Sequence, residues 1–291
     1  MKYQNKEGWL FVAPLLCWLA FSICVPLYIA IELSFFDIKI IGTEGKFVGF
    51  KNYIKILNSS KFPKALTNSI YWVLANAVTQ TFFAFLIALT LNKHFKGVKI
   101  ATNWIILSFI IPTVVIVVIW KLMLSSSSGI INSLLVQLHI IDKPIGFFSS
   151  STSAFVSLVL INSWRWSPFL ALIILSGLKS IHQEIYDASK IDGAGFFAEF
   201  FQITLPQLKG VLFVLGLVGT LLSFNVFDII WLITKGGPSS ATTTLPLLIY
   251  ETAFTKFRLS QAAALSVITS FILLTFSIVF IKVMGKDHDE R

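Results

Sequence analysis

Residues 184–206, EIYDASKIDGAGFFAEFFQITLP, decide how this chain is interpreted. They form a polar, charged segment between two long apolar ones, and their pattern has helical periodicity. The pattern places apolar and small residues on one stripe and charged residues on another: Ile185, Ala188, Ile191 and Gly195 against Glu184, Asp187 and Lys190. Gly193 follows, and glycine readily adopts the positive φ of a sharp turn. The segment therefore predicts a short surface helix and a turn that can lie in a groove on a partner.

Composition places the segment in a membrane protein. The 291 residues are 56% hydrophobic and only 13% charged, whereas a soluble domain is about 45–50% apolar and about 25% charged. The formal net charge is +9, but the basic residues lie mostly in short segments between apolar runs. Lipid headgroups and membrane topology explain them there, so we do not expect nucleic-acid binding.

Six apolar segments are long enough to cross a bilayer, which takes about 20 residues in a helix. They span about 9–36, 66–92, 101–124, 152–178, 207–234 and 261–284. The first exceeds the apolar core of a signal peptide, so we expect a retained helix. Backbone polar groups must be satisfied inside a bilayer. The sequence therefore predicts an all-α polytopic protein, a single transmembrane domain over 1–291 with core helices over about 66–284 and a loop over about 179–206.

The charged connections favour cytoplasmic termini only weakly. Lys and Arg divide almost evenly between the two sides, contrary to the usual excess inside. The first outside connection alone carries six lysines: Lys39, Lys46, Lys51, Lys55, Lys61 and Lys64. The stronger argument for this orientation comes from the segment 184–206, which faces the cytosol if it contacts cytosolic proteins.

Reactive and metal-binding residues form no recognisable set. Cys17 and Cys24 both lie in the first apolar span, and the histidines, His94 and His288 among them, show no ligand spacing. A phosphate-binding loop requires Gly-x-x-x-x-Gly-Lys-Ser/Thr. Gly285-Lys286 lacks both the upstream glycine and the hydroxyl. We therefore expect no catalytic residue, metal or cofactor in this chain, and a membrane enzyme is disfavoured.

The spacing within residues 184–206 carries a family resemblance. Asp187-Ala188-Ser189 is followed after three residues by Gly193, and after nine more by Ile203, Leu205 and Pro206. This pattern resembles the coupling loop of ABC importer permeases, Glu-Ala-Ala, three residues, Gly, nine residues, Ile-x-Leu-Pro. Asp187 and Ser189 depart conservatively from it. The resemblance implies that the residues contacting the ATPases are Glu184, Asp187, Ala188, Ser189, Gly193, Ile203 and Pro206.

Further stretches extend the resemblance over the whole chain. They are WLFVAP at 9–14, GFKNY at 49–53 and LITKGGP at 232–238. The chain is identified as a member of the carbohydrate-type branch that includes the maltose and glycerol-3-phosphate permeases. The resemblance implies the type I importer fold in a bacterial inner membrane, a second permease subunit, two ATP-binding subunits that hold ATP and Mg²⁺, and an extracytoplasmic solute-binding protein that delivers a saccharide.

Span four contains an arginine between two tryptophans, Trp164-Arg165-Trp166. Aromatic faces stack on sugar rings and a guanidinium donates to hydroxyls or carboxylates, although Trp and Arg also anchor spans at the membrane interface. Resemblance to the maltose-type site implies pathway roles for Phe109, Thr113, Arg165, Trp166, Phe169, Gly219, Leu222, Ser223 and Val226. The last four are spaced on one helical face, and Pro112 is expected to kink its span. Because Arg165 replaces an apolar residue of that relative, we hypothesise an acidic saccharide.

Two alternatives remain open. The first is an importer of the same kind for glycerophosphate or a polyol. The second is an ion-coupled secondary transporter, which is expected to show inverted repeats and intramembrane carboxylates. Glu32 and Asp228 are the only candidates for such carboxylates, and this alternative leaves the coupling-loop spacing unexplained. Asn225 and Asp228 are further polar candidates, with helix–helix hydrogen bonding as their alternative role.

Overall fold

The structure is a computed structural model that describes residues 4–38, 45–93 and 95–285. Lys39, His94, Lys286 and His288 lie outside these ranges. The described residues are mostly helical, as predicted. In chain order the elements of the first part of the chain are α1 (Gln4–Ser34), β1 (Phe36–Asp37), β2 (Lys46–Phe47), α2 (Lys51–Leu57), α3 (Lys61–Leu91), α4 (Val98–Ile110), α5 (Thr113–Met123), α6 (Ile130–Gln137) and α7 (Ser151–Ser180).

The second half of the chain contains shorter helices and two π-helical turns. Its elements are α8 (Gln183–Ile191), α9 (Phe196–Ala198), a π-helical turn (Glu199–Thr204), α10 (Leu205–Gln207), α11 (Lys209–Phe224), α12 (Asp228–Thr234), α13 (Leu245–Tyr250), a second π-helical turn (Glu251–Thr255) and α14 (Leu259–Gly285). In the described residues, four helices are long and apolar enough to cross a membrane, or six spans result if each of two bent pairs is counted once.

Two predicted spans are not straight helices. The span at 101–124 is bent by 96° between α4 and α5; Pro112, the residue before α5, lies at the bend, as predicted from the helix-breaking effect of proline. The continuous span predicted at 207–234 is wrong. A bend of 69° separates Phe196–Gln207 from α11, so Pro206 lies before the spanning helix and not in its first turn. At the other end, α11 stops at Phe224 and α12 begins at Asp228.

The helices fall into two compact units. The first contains the described residues up to Pro63 together with Leu248–Thr275, and the second contains Lys64–Leu247 with the described residues from Phe276 onward. In the first unit, β1 and β2 pair antiparallel. The Asn52 side chain donates to the carbonyls of Ser34 (2.9 Å) and Phe36 (2.8 Å). These bonds hold α2 against the end of α1 and explain the asparagine in the stretch 49–53.

The second unit has a core in which α7 is the central element. α7 packs against α4, α11 and α12. A buried cluster at its C-terminal half includes Ala88, Ala171, Ile174 and Leu208. Asn76 links α3 to α7, because its Oδ1 accepts from Asn162 Nδ2 at 2.7 Å. Hydrogen bonds of this kind replace the hydrophobic driving force that helices lack inside lipid.

Candidate functional site

The predicted surface helix is α8, and the predicted turn follows it. α8 spans Gln183–Ile191, and Gly193 has φ of +77° with open space where a side chain would begin. The Gly193 N–H donates to the Lys190 carbonyl at 3.1 Å, and the Ala194 N–H donates to the Ser189 carbonyl at 2.9 Å. These bonds close the helix with a tight turn at a positive φ, which glycine adopts readily. Both features were predicted from the spacing.

The charged side chains of α8 lie on its surface. Glu184, Asp187 and Ala188 are exposed. Asp187 Oδ1 accepts from Gln183 Nε2 at 3.2 Å and lies 3.6 Å from Lys190 Nζ. Both partners of this ion pair are mostly exposed, so it contributes little to stability. The carboxylate of Asp187 therefore remains accessible to a basic group on a partner.

Ser189 differs from its neighbours because it faces inward. Its side chain is buried and its Oγ donates to the Tyr186 carbonyl at 2.9 Å. The Tyr186 hydroxyl lies 3.2 Å from Thr204 Oγ1, which ties α8 to the π-helical turn that follows. Ser189 thus supports the helix. Its buried side chain is not part of the exposed surface that α8 offers to a partner.

Apolar side chains at the end of α8 and just after it are exposed. The exposed fractions are 87% for Ile191, 64% for Phe196 and 73% for Phe197. Large apolar residues grouped beside charged ones are typical of a surface that a partner covers. Ile203 is half-buried and Pro206 is exposed; both lie at the far end of the segment, beyond this patch.

The segment is anchored to α7 through Leu208. Leu208 is buried, and a Cβ added at Gly177 of α7 would lie 2.7 Å from its Cδ2. The absence of a side chain at Gly177 therefore permits a close approach between the end of α7 and the bend before α11. Leu208 belongs to the same buried cluster as Leu178, near the end of α7.

A second group of predicted residues lies in the middle of the helices. Arg165 Nη1 lies 3.3 Å from Asp228 Oδ2, with side-chain exposures of 15% and 44%. The Arg165 guanidinium also lies over the Trp166 ring, 5.6 Å from its centroid. Arg165, Trp166, Leu222 and Val226 line a cavity of about 300 Å³ together with Asp228 and two intervening residues.

The cavity lies where the helix is interrupted. Val226 was predicted to share a helical face with Gly219, Leu222 and Ser223. It lies instead in the break between α11 and α12. Asn225 Nδ2 donates to the Leu221 carbonyl at 2.8 Å, which competes with continuation of the helix. Non-helical backbone at membrane depth is tolerated only where it is buried in protein or lines a water-filled cavity. The break therefore favours a polar path at this point.

The remaining predicted pathway residues form a neighbouring aromatic cluster or stay apart. Phe109 stacks on Phe169 with ring centroids 5.1 Å apart and meets the edge of Trp166 at 5.4 Å. Thr113 is half-buried at the start of α5. The Ser223 side chain is buried and its carbonyl accepts from Trp72 Nε1 at 3.0 Å. Gly219 lies in α11 with open space beside it.

Arg165 and Asp228 are each candidates from the sequence, but their contact was not predicted. The two residues are 63 positions apart in sequence, and no local pattern joins them. Their occurrence as an arginine and an aspartate within apolar spans is the signal that could have paired them. The same holds for Asn76 and Asn162, whose amides are buried in contact.

Comparison with known proteins identifies relatives of this chain. Residues 80–284 match the family described as binding-protein-dependent transport system inner membrane component. A trehalose/maltose transport system permease of Thermococcus litoralis is 33% identical over 97% of this chain and 95% of its own. A lactose transport system permease of Rhizobium radiobacter is 29% identical over 97% of this chain and 94% of its own.

A solved structure shows the same fold. It is a bacterial ABC transporter involved in the import of the acidic polysaccharide alginate, with a TM-score of 0.82, 21% identity and coverage of 97% of each chain. The chain belongs to the family of inner-membrane components of binding-protein-dependent transport systems. The predicted family and type I importer fold are therefore confirmed, and the ion-coupled secondary transporter is disfavoured.

Proposed function

We propose that this chain is the permease subunit of an ATP-driven importer for a sugar or oligosaccharide. The observation that carries the proposal is the cavity at the helix break, where a tryptophan, an arginine and an aspartate meet within the apolar helices. An aromatic face with charged hydrogen-bonding groups suits a polyhydroxylated ring. The names of the trehalose/maltose and lactose relatives support the same substrate class.

In this proposal α8 and the turn at Gly193 dock on an ATP-binding subunit. The exposed Asp187 supplies a charged contact, and Ile191, Phe196 and Phe197 supply apolar contacts. Closure of the ATPases moves this segment, and α7 and α11 carry the motion to the cavity. The cavity then opens alternately to each side of the membrane.

The complete transporter contains a second permease subunit and two ATP-binding subunits, which bind ATP and Mg²⁺ and perform the hydrolysis. An extracytoplasmic solute-binding protein delivers the saccharide, in keeping with the description of the family. The chain spans the plasma membrane several times with both termini in the cytoplasm, an orientation that places α8 on the side of the ATPases.

The ion pair changes our expectation for the charge of the substrate. Arg165 and Asp228 lie 3.3 Å apart, so the guanidinium already faces a carboxylate. An acidic sugar would have to displace Asp228, whereas a neutral sugar can accept from Arg165 and donate to Asp228 through its hydroxyls. We therefore propose a neutral saccharide, with the acidic saccharide predicted from Arg165 alone as the competing hypothesis.

Uptake by the reconstituted transporter tests both parts of the proposal. Proteoliposomes that contain the permeases, the ATPases and the binding protein are supplied with matched neutral and acidic oligosaccharides and with glycerophosphate. We expect ATP-dependent uptake of a neutral saccharide, and near-background uptake of that saccharide by Arg165→Ala. If Arg165→Ala abolishes uptake of an acidic saccharide alone, the acidic hypothesis is correct; uptake of glycerophosphate alone would contradict the saccharide assignment.

A further inference from the structure

The lysine-rich connection between α1 and α3 contributes residues to a basic cavity. Within the first unit, a cavity of about 540 Å³ is lined by residues from the segment 37–62 and from the segment 248–265. Its charged lining residues are Asp37, Lys55, Lys61, Lys256 and Arg258. Four cations and one carboxylate among the described residues thus share one cavity. Lys61 is the first residue of α3, and Lys256 and Arg258 lie just before α14.

Few of these cations are neutralised. Lys256 Nζ lies 3.4 Å from Glu251 Oε2. No described carboxylate pairs with Lys55, Lys61 or Arg258, all of which are exposed. Like charges that line one cavity repel each other and raise its positive potential. A bound anion relieves that repulsion.

The cavity also has an apolar floor. Ile56, Phe62, Leu248 and Leu265 line it and are buried. Outside the cavity, Leu57, Phe254 and Phe257 are exposed, at 58%, 62% and 67%. Exposed apolar residues next to lysines are typical of a surface at headgroup depth in a bilayer.

We propose that this cavity binds the phosphate of an anionic phospholipid, with the headgroup against the cations and the first acyl carbons against the apolar floor. Free inorganic phosphate would leave the floor without a partner. With cytoplasmic termini, the lipid belongs to the outer leaflet. The two lysines of the outside connection that line the cavity, Lys55 and Lys61, then serve a ligand and not the topology rule.

Lipid titration of the full chain, purified with its partner subunits in a neutral detergent, tests this site. Native mass spectrometry compares the binding of dioctanoyl phosphatidylglycerol, of the phosphatidylcholine with the same chains, and of inorganic phosphate. We expect phosphatidylglycerol to bind about tenfold more tightly than phosphatidylcholine, because each nearby cation contributes to attraction of an anionic headgroup. Inorganic phosphate should bind more weakly still.

Paired variants assign the effect to the cavity. The double variant Lys55→Gln/Arg258→Gln removes two exposed lining cations and should abolish the preference for phosphatidylglycerol. The matched variant Lys46→Gln/Lys51→Gln removes two exposed lysines that do not line the cavity and should retain it. Thermal unfolding without lipid checks that both variants are folded, and 0.5 M salt should weaken the preference in the unaltered protein because salt screens exposed charges.

Several results would overturn the assignment. Equal binding of the two lipids, or equal loss in the two double variants, would show that the cavity does not select the anionic headgroup. Tight binding of inorganic phosphate would identify a free anion as the ligand. If Lys55→Gln/Arg258→Gln leaves lipid binding intact but weakens the solute-binding protein's affinity, the cations serve protein docking. None of these readouts requires sugar transport, so failure here leaves the proposed function intact.

Discussion

The segment around α8 and the cavity around Arg165 differ in how they are held together. Around α8 the bonds are local: Asp187 contacts Gln183 and Lys190 within one turn on each side, all at the surface. At the cavity the main contact joins Arg165 of α7 to Asp228 of α12, and Arg165 is largely buried. The first region can therefore keep its shape while a partner binds it, whereas the second depends on the packing of distant helices.

α7 runs through both regions. Arg165 lies near its middle, and Gly177 lies close to its end, where it meets Leu208. Their separation of twelve positions corresponds to about 18 Å of helix. Phe169 lies in contact with Trp166 on one side and packs against the buried cluster that contains Leu208 on the other. A displacement of the α8 segment therefore has a packed route to the cavity.

The largest effect is expected from Gly193→Asp. Gly193 has φ of +77°, and a side chain at such a φ costs up to about 1–2 kcal/mol locally, less for aspartate than for most residues. The substitution also adds charge next to the proposed docking surface. We expect the complex to assemble and to lose nearly all ATP-dependent uptake, measured in proteoliposomes alongside co-purification of the ATPases.

Gly195→Asp is the matched control. Gly195 is exposed and extended, with φ of −79° and ψ of 168°, and it precedes the first residue of α9. Aspartate is a favoured residue at that position of a helix. Gly195→Asp should therefore retain most uptake. Unchanged uptake by Gly193→Asp, or equal loss in both variants, would count against a specific role for the turn.

Arg165→Ala tests the long-range contact at the cavity. It leaves Asp228 without its partner. Breaking a fully buried ion pair costs about 3–5 kcal/mol, and the 44% exposure of Asp228 reduces the cost here. We expect a lower unfolding temperature for Arg165→Ala and recovery of most of the loss in Arg165→Ala/Asp228→Asn. A double variant as unstable as the single one would mean that the pair does not stabilise the break.

Gly177→Ala probes the contact between the two regions. The added methyl would lie 2.7 Å from Leu208 Cδ2 and 2.8 Å from Val211 Cγ2, and such overpacking costs about 1–3 kcal/mol. We expect a moderate loss of stability and of ATP-coupled uptake. Combining it with Leu208→Ala should cost less than the sum of the two single changes. Strict additivity in thermal unfolding would show that the two side chains do not share this space.

The smallest effect is expected at the buried amides outside both regions. Asn162→Ala removes the 2.7 Å hydrogen bond to Asn76 Oδ1, and interhelical bonds in membranes contribute about 1 kcal/mol. The unfolding temperature should fall slightly, while the stimulation of ATP hydrolysis by sugar should be retained. Loss of that stimulation with normal stability would show that the amides belong to the transport path.

What the sequence predicts follows from the range of the interactions involved. The surface helix, the turn at Gly193 and the bend at Pro112 depend on neighbouring residues, and all three are present in the structure. The break after Phe224 was not predicted, because residues 207–234 are apolar enough for one continuous span. The Arg165–Asp228 pair was not predicted either, because contact depends on the packing of α7 against α12. Whether the α8 residues bind an ATPase stays a prediction.

The central claim is that the α8 segment transmits ATPase motion to the cavity. The most direct test is the rate of ATP hydrolysis by the assembled transporter in lipid, with and without sugar-loaded binding protein, for the unaltered chain and for Gly193→Asp. We expect the loaded binding protein to stimulate hydrolysis in the unaltered complex and to have no effect in Gly193→Asp, which still contains all four subunits. Equal stimulation of both complexes would contradict this claim.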